Sequence, residues 1–194
     1  MLSRKTFWTV TLAVAVLGIA GGALIGDSLL HRPIADTEAF WAEIYNTPVE
    51  MAGRADAVVV GKAVGVEHSR FGYSDNGEDA LPFEVAEFEI IRNVKGLSGE
   101  TRVFVERAGG EGVYIDADGG PFEIGQSYLL FLKRQEEGPS YYQANSQARF
   151  RIANGRLQSL EKGDVVVDAL HGRTLSEGLS LVRDGLRERG PAVQ

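Results

Sequence analysis

Chemistry would come most readily from two acidic, glycine-containing stretches. Asp116-Ala117-Asp118-Gly119 has part of the look of a calcium loop, and Asp75, Asn76, Glu78 and Asp79 cluster within Ser74–Asp79. A loop of the EF-hand kind needs oxygen ligands at about five or six spaced positions and a distal bidentate Glu. Neither stretch supplies that set, so both read as solvated turns. His31, His68 and His171 are far apart, with no HExxH or comparable spacing. Ser127 and Ser140 lack the glycines of a nucleophile elbow. Glu84, Glu87 and Glu89 could supply a carboxylate pair for glycoside hydrolysis, yet Glu87 and Glu89 share one strand face in the pattern of a solvent-facing sheet. Gly109–Gly120 is glycine-rich but precedes no helix, so it lacks the geometry that cradles phosphate. The sequence therefore assigns no catalytic residue, no cofactor-binding residue and no metal ligand, and the expectation is a non-enzyme that needs no cofactor.

Composition narrows the setting. The chain has 194 residues, 44% apolar and 24% charged, with a net charge of −7 and no cysteine. Those proportions are ordinary for a globular domain. Without cysteine, thiol catalysis, cysteine-ligated metal and a lipid-modified cysteine anchor are excluded. Arg4 and Lys5 precede every acidic residue, so a chain lacking them is more acidic still, and an acidic domain suits a phosphate backbone poorly. Tyr141, Tyr142, Arg149 and Arg151 form the basic-aromatic cluster nearest to a nucleic-acid site, but charge and expected location oppose that use.

The N-terminus sets the location. Met1–Lys5 is basic and Thr6–Gly26 is free of charge, an export element read over 1–30 as either a signal peptide or a transmembrane anchor. Gly18-Ile19-Ala20 offers small residues for cleavage, while about 20 uncharged residues suffice to span a bilayer. Arg4 and Lys5 would hold the N-terminus inside and leave the rest outside. Gly18, Gly22 and Gly26 have a spacing that lets membrane helices approach closely. Residues 31–54 read as a spacer with a short helix: Phe40, Trp41, Ile44 and Tyr45 sit at helical spacing, Pro48 breaks it, and Val49–Arg54 adds a turn. These aromatics are expected to cover one end of the body that follows.

That body, 55–168, is organised around Ala55–Val66, ADAVVVGKAVGV. Alternation places Val58, Val60, Val64 and Val66 on one face and Val59, Gly61, Ala63 and Gly65 on the other. Glycines inside a strand imply coiling or close backbone approach. Phe83–Val94 is a second strand in which Phe83 and Val85 share one face and Ala86, Phe88 and Ile90 the other, a switch of phase that predicts a bulge. Glu100–Arg107 is a third, with Val103 and Val105 inward. Ser127–Lys133, SYLLFLK, is apolar on both faces and so must be central, with something packed outside it. Ala148, Phe150 and Ile152 alternate up to the Asn154-Gly155 turn, whose register sets Ile152 opposite Leu157, both inward. Val165–Val167 reads as a short strand. In 169–194, Thr174–Glu177 is a capping box, and Leu175, Leu179, Val182 and Leu186 form the stripe of a helix expected to cover the outside of Ser127–Lys133.

These pieces predict a mainly β fold, a small closed barrel with flanking helices behind an N-terminal hydrophobic helix. ADAVVVGKAVGV, FEVAEFEIIRNVKG, FEIGQSYLLFLK and QARFRI together resemble the OB-fold barrel, in the netrin-like or TIMP-like version of exported bacterial proteins. Metalloprotease inhibitors of that family use an N-terminal cysteine to chelate zinc, so the resemblance implies the fold and not the inhibition. The expected function is a non-catalytic extracytoplasmic binding module, membrane-tethered or secreted, whose partner is a protein or envelope component and not nucleic acid. A hydrolase using loop carboxylates such as Asp116 and Asp118, or a structural module of an envelope complex, are the alternatives.

Overall fold

A computed structural model describes residues 44–73, 80–110, 120–136, 138–145, 147–159 and 163–188. In chain order the elements are α1 (Pro48–Arg54), β1 (Ala57–Tyr73), β2 (Ala80–Lys95), β3 (Arg102–Ala108), β4 (Ser127–Arg134), β5 (Tyr141–Gln143), β6 (Arg149–Ala153), β7 (Arg156–Gln158), α2 (Val165–Leu170) and α3 (Leu175–Glu188). The hydrogen-bonded order is β1-β2-β3-β5-β4, and β4 returns to β1 from Ala57↔Leu132 to Lys62↔Ser127. The chain thus forms a mainly β, closed five-stranded barrel, consistent with an OB-like architecture. The β3–β5 pairing is parallel and short, Val105↔Tyr141 and Glu106↔Tyr142.

β4 is the axis of this arrangement. Along one edge it pairs with β1; along the other it pairs first with β5 and then with β6. Between those two, Ala144 donates to the Phe131 carbonyl and Phe131 to the Ala148 carbonyl, so the edge stays occupied while the chain changes course. β5 closes the barrel. β6 leaves it as a hairpin with β7 through Asn154 and Gly155, both at positive φ as a twist-matched turn requires.

Two apolar clusters result. The barrel interior holds Ala57, Val59, Ala63, Ala86, Phe88, Val103, Val105, Phe122, Tyr128, Leu130, Leu132 and Tyr141. Outside β4, Val58, Val60, Leu129, Phe131 and Phe150 are buried with Tyr45, Met51, Leu157, Val166, Leu170, Leu179 and Val182. The apolar content of SYLLFLK on both faces is explained: alternate side chains serve alternate cores. Leu179 and Val182 lie in the cluster outside β4, with Leu175 and Leu186 half-buried against it, as their spacing predicted. α3 also packs on α1, and a Cβ at its Gly178 would run into the Leu157 side chain.

The helix ends are explained locally. Thr47 Oγ1 accepts from Glu50 N at 3.0 Å and Pro48 opens α1. At the other end Lys95 Nζ donates to the carbonyls of Ala52 (3.1 Å), Gly53 (2.9 Å) and Ala55 (2.5 Å), so a cation satisfies the free acceptors of a helix C-terminus. The Thr174–Glu177 capping box is present, with Thr174 N donating to Glu177 at 2.8 Å and Glu177 N to Thr174 Oγ1 at 3.3 Å.

Four expectations are corrected. Val165–Val167 is not a strand but the start of α2, because Asp164 accepts from the amides of Val166 and Val167 and caps a helix there. Val66 does not stay with Val58 and Val60: the extra residue Val64 bulges out between Ala63 and Gly65, and Val66 packs against the interior cluster. β2 has no phase switch at Val85/Ala86; its pairing with β3 is continuous from Phe83 to Glu89, and its bulged residues are Ile91 and Val94. Ile152 does oppose Leu157, but both face the outer cluster rather than the barrel interior.

At Gly61 the backbone approaches β2 closely: a Cβ there would lie 3.2 Å from Phe88 Cβ, a tight contact. The export element, the spacer and Phe40 and Trp41 lie outside the described residues. Tyr45 and Met51 pack beneath α3 on the outer cluster, not over a barrel end. Among the described residues no helix is long and apolar enough to cross a membrane.

Candidate binding groove

The strand that ends the inward Val103/Val105 alternation finishes in two consecutive charges, Glu106 and Arg107, so one must face in and one out. Arg107 faces in. It stands opposite Glu84 on β2 and its Nε donates to the Glu84 carboxylate at 2.5 Å, with both residues buried. This pair explains the phase of β2. Glu84 occupies the inward series with Ala86 and Phe88, and Phe83 is left outside. A second Arg107 bond, NH1 to the Ala108 carbonyl at 3.2 Å, serves an acceptor at the end of β3.

Glu106 faces out and is nonetheless buried, beneath side chains from other strands. Arg70 reaches it from the distal part of β1 through Nε (3.3 Å) and NH2 (2.8 Å), and Gln135 Nε2 from the β4–β5 connection at 2.9 Å. The Arg70 guanidinium also lies 4.4 Å from the centre of the Phe83 ring. These groups line a surface groove of about 740 Å³ beside the β3–β5 seam. Its other wall is Glu136, Gly138, Pro139, Ser140 and Tyr142. Gln143, only 2% exposed, also lines it; its buried Oε1 has no hydrogen-bond partner among the described residues. Tyr142 is 41% exposed.

Among the described residues, those singled out by type stand apart from one another. Glu87 pairs with Arg102 on the outer face of β2 and β3, and Glu89 is exposed beside it. His171 terminates α2, where its Nδ1 accepts from Ser159 N at 3.2 Å. Ser127 begins β4 and Ser140 sits on the groove wall. Asp75, Asn76, Glu78, Asp79, Asp116, Asp118 and His31 lie outside the described residues, as does the His68 side chain. Among the described residues no three His, Asp or Glu side chains gather as a metal ion would need.

The supposed basic-aromatic cluster is split in two. Tyr141 points into the barrel and its hydroxyl accepts from Arg134 at 2.9 Å, while the adjacent Tyr142 faces the groove. Arg149 and Arg151 stand opposite Leu130 and Tyr128 on the inner side of β6. There Phe88, Phe122 and Tyr128 meet edge to face, at centroid separations of 4.9, 5.4 and 5.9 Å. The Arg149 guanidinium stacks 4.6 Å from the Phe122 ring centre and donates to the Gly120 carbonyl at 2.9 Å. Burial pushes the Tyr128 phenol above its ordinary pKa, opposed by the Glu123 amide that donates to it. This cluster is therefore a packed lid on the interior.

Arg70, Glu106, Gln135 and Gln143 were missed by reading residue types. One signal existed: the Glu106-Arg107 doublet forces a charge inward. Arg70 and Gln135 come from distant segments and carry no local sign of meeting. No protein-family model matches this chain, and neither does any curated protein sequence.

Proposed function

We propose that the chain is an exported, non-catalytic binding module, tethered by its N-terminal segment or released from it, that holds a protein or envelope component in the groove beside β3 and β5. One observation carries this reading: the barrel interior is filled with side chains and the outside of β4 lies under helices, while among the described residues a groove of about 740 Å³ is left open on the opposite flank. A filled interior favours recognition on the surface over enclosure of a ligand. We read the barrel further as the netrin-like version of the OB-like architecture, because three of the four stretches that carry that resemblance supply its strands β1, β2 and β4.

The test is affinity capture from detergent-solubilised membranes with the full-length chain and a Tyr142→Ser variant. A reproducible partner that the variant loses is expected. Absence of any partner overturns the reading, as does turnover in a hydrolase panel that disappears on Asp116→Asn or Asp118→Asn. Alkaline phosphatase fused after Gln194 is expected to be active; a stable, inactive fusion removes the outward location. Mass spectrometry of the mature N-terminus decides between tethered and released.

A further inference from the structure

The barrel is closed unevenly, and the unevenness singles out β5. On one side β5 is paired with β4 through Leu132↔Gln143, Lys133↔Tyr142 and Arg134↔Tyr141. That side is reinforced. The Tyr141 hydroxyl accepts from Arg134 at 2.9 Å, Gln135 N donates to the Ser140 carbonyl at 3.1 Å, and Ala144 N donates to the Phe131 carbonyl at 3.0 Å. On the other side β5 meets β3 in two pairs, Val105↔Tyr141 and Glu106↔Tyr142, and they are parallel, the slightly weaker arrangement per residue. β1 and β4, which meet elsewhere in the same wall, share six. A side-chain bond from Gln135 Nε2 to Glu106, at 2.9 Å, spans the β3–β5 seam.

Packing along the seam is as sparse as its pairing. The groove lies against Arg107, Ala108, Tyr142 and Gln143 beyond the paired residues, and a second hollow of about 300 Å³ lies against Val103, Phe104, Gly138 and Pro139 before them. Gln143 turns inward with Tyr141, and its buried Oε1 has no partner among the described residues. The closed position of β5 therefore carries an unmet acceptor that water would satisfy once the strand lifted. Tyr141, packed in the interior cluster, favours closure. We propose that β5 is a hinged strap, which lifts from β3 while remaining on β4 and so opens the barrel wall without unfolding the rest. The open form leaves this edge of β3 without a strand partner among the described residues and joins the two hollows into one slot. The motion belongs to the barrel itself and does not depend on the groove being the binding site.

The chain has no cysteine, so a single introduced thiol reports on a single place. Val105 and Val59 are both fully buried in the interior, one at the β3–β5 seam and the other at the β1–β4 seam. The experiment measures thiol labelling of Val105→Cys and Val59→Cys in the folded full-length chain in detergent micelles, each set against that variant's own rate of global unfolding. Val105→Cys is expected to label about tenfold or more faster than it unfolds globally, and Val59→Cys only at its global rate. Gln143→Leu removes the unmet acceptor and should slow labelling of Val105→Cys, whereas Gln135→Leu removes the bond across the seam and should speed it, each by several fold. Neither should change Val59→Cys relative to its own unfolding. Val103→Cys, on the same inward face of β3, takes the place of Val105→Cys if that variant fails to fold. Equal relative rates at the two seams, or fast labelling of Val105→Cys that neither glutamine variant alters, overturns the proposal.

Discussion

One flank of the barrel, where β1 meets β4 and β4 meets β6, turns apolar side chains both inward and outward; the other, made by β2, β3 and β5, turns them mainly inward. On the first flank, Val58, Val60, Leu129, Phe131 and Phe150 extend the core outward to the helices. On the second, the outer face carries charges tied to one another, Arg102 with Glu87 and Arg70 with Glu106, among partly exposed Val64, Phe104 and Tyr142. The difference is one of what satisfies the outer surface. A second apolar layer needs a covering element, whereas paired charges and isolated apolar groups remain soluble without one. The uncovered flank thus keeps its outer face in solvent, while the covered flank adds a second apolar core.

The largest effect should come from the charge pair inside the open flank. Glu84→Leu leaves Arg107 buried without its carboxylate and should cost about 3–5 kcal/mol in denaturant unfolding, while Glu84→Leu with Arg107→Leu should recover most of it. A single variant as stable as wild type would show that the pair is not shielded from water. Next, Leu179→Asp on the covered flank should cost about 2–4 kcal/mol; an unchanged melting temperature would mean that α3 is not part of the core. Smaller again, Thr174→Ala should cost about 1 kcal/mol by removing the cap of α3. Its signature is pH. Hydrogen bonds from Thr174 hold the Glu177 carboxyl below its ordinary pKa, so its stabilisation is complete above that ordinary value and is lost as pH falls through the lowered one. Unfolding of Thr174→Ala should show a shallower loss in acid, and identical acid slopes would remove the capping account. The smallest change is expected on the open flank: Phe104→Ser should alter stability by less than about 0.5 kcal/mol. A larger loss would mean that the two flanks are not as different as their burial indicates.

Where local pattern and tertiary packing agreed, the fold was legible. SYLLFLK announced a strand between two cores, the Leu175–Leu186 stripe announced a covering helix, and Asn154-Gly155 set the hairpin register. Three places were not readable because a single interaction outweighed the pattern. The valine run at Val165 is β-prone, yet the Asp164 side chain makes a helix start there. Val66 changed sides because one bulged residue reverses every position after it. Glu84 is a charged residue on the inward face of β2, a place its type does not announce, and Arg107 opposite makes that position tolerable. The groove was the least legible part, since Arg70, Glu106, Gln135 and Tyr142 come from four segments and meet only after the barrel closes.

The grip of Lys95 on the last carbonyls of α1 bears on how the domain answers force. A pull arriving from the N-terminal side reaches α1 before it reaches any strand, and α1 is held both by that lysine and by α3 from the opposite end of the chain. Load is therefore shared by two ends of the polypeptide before the first barrel hydrogen bond is stretched. In single-molecule extension Lys95→Met should yield at a lower force than wild type, with the remaining rupture steps unaltered.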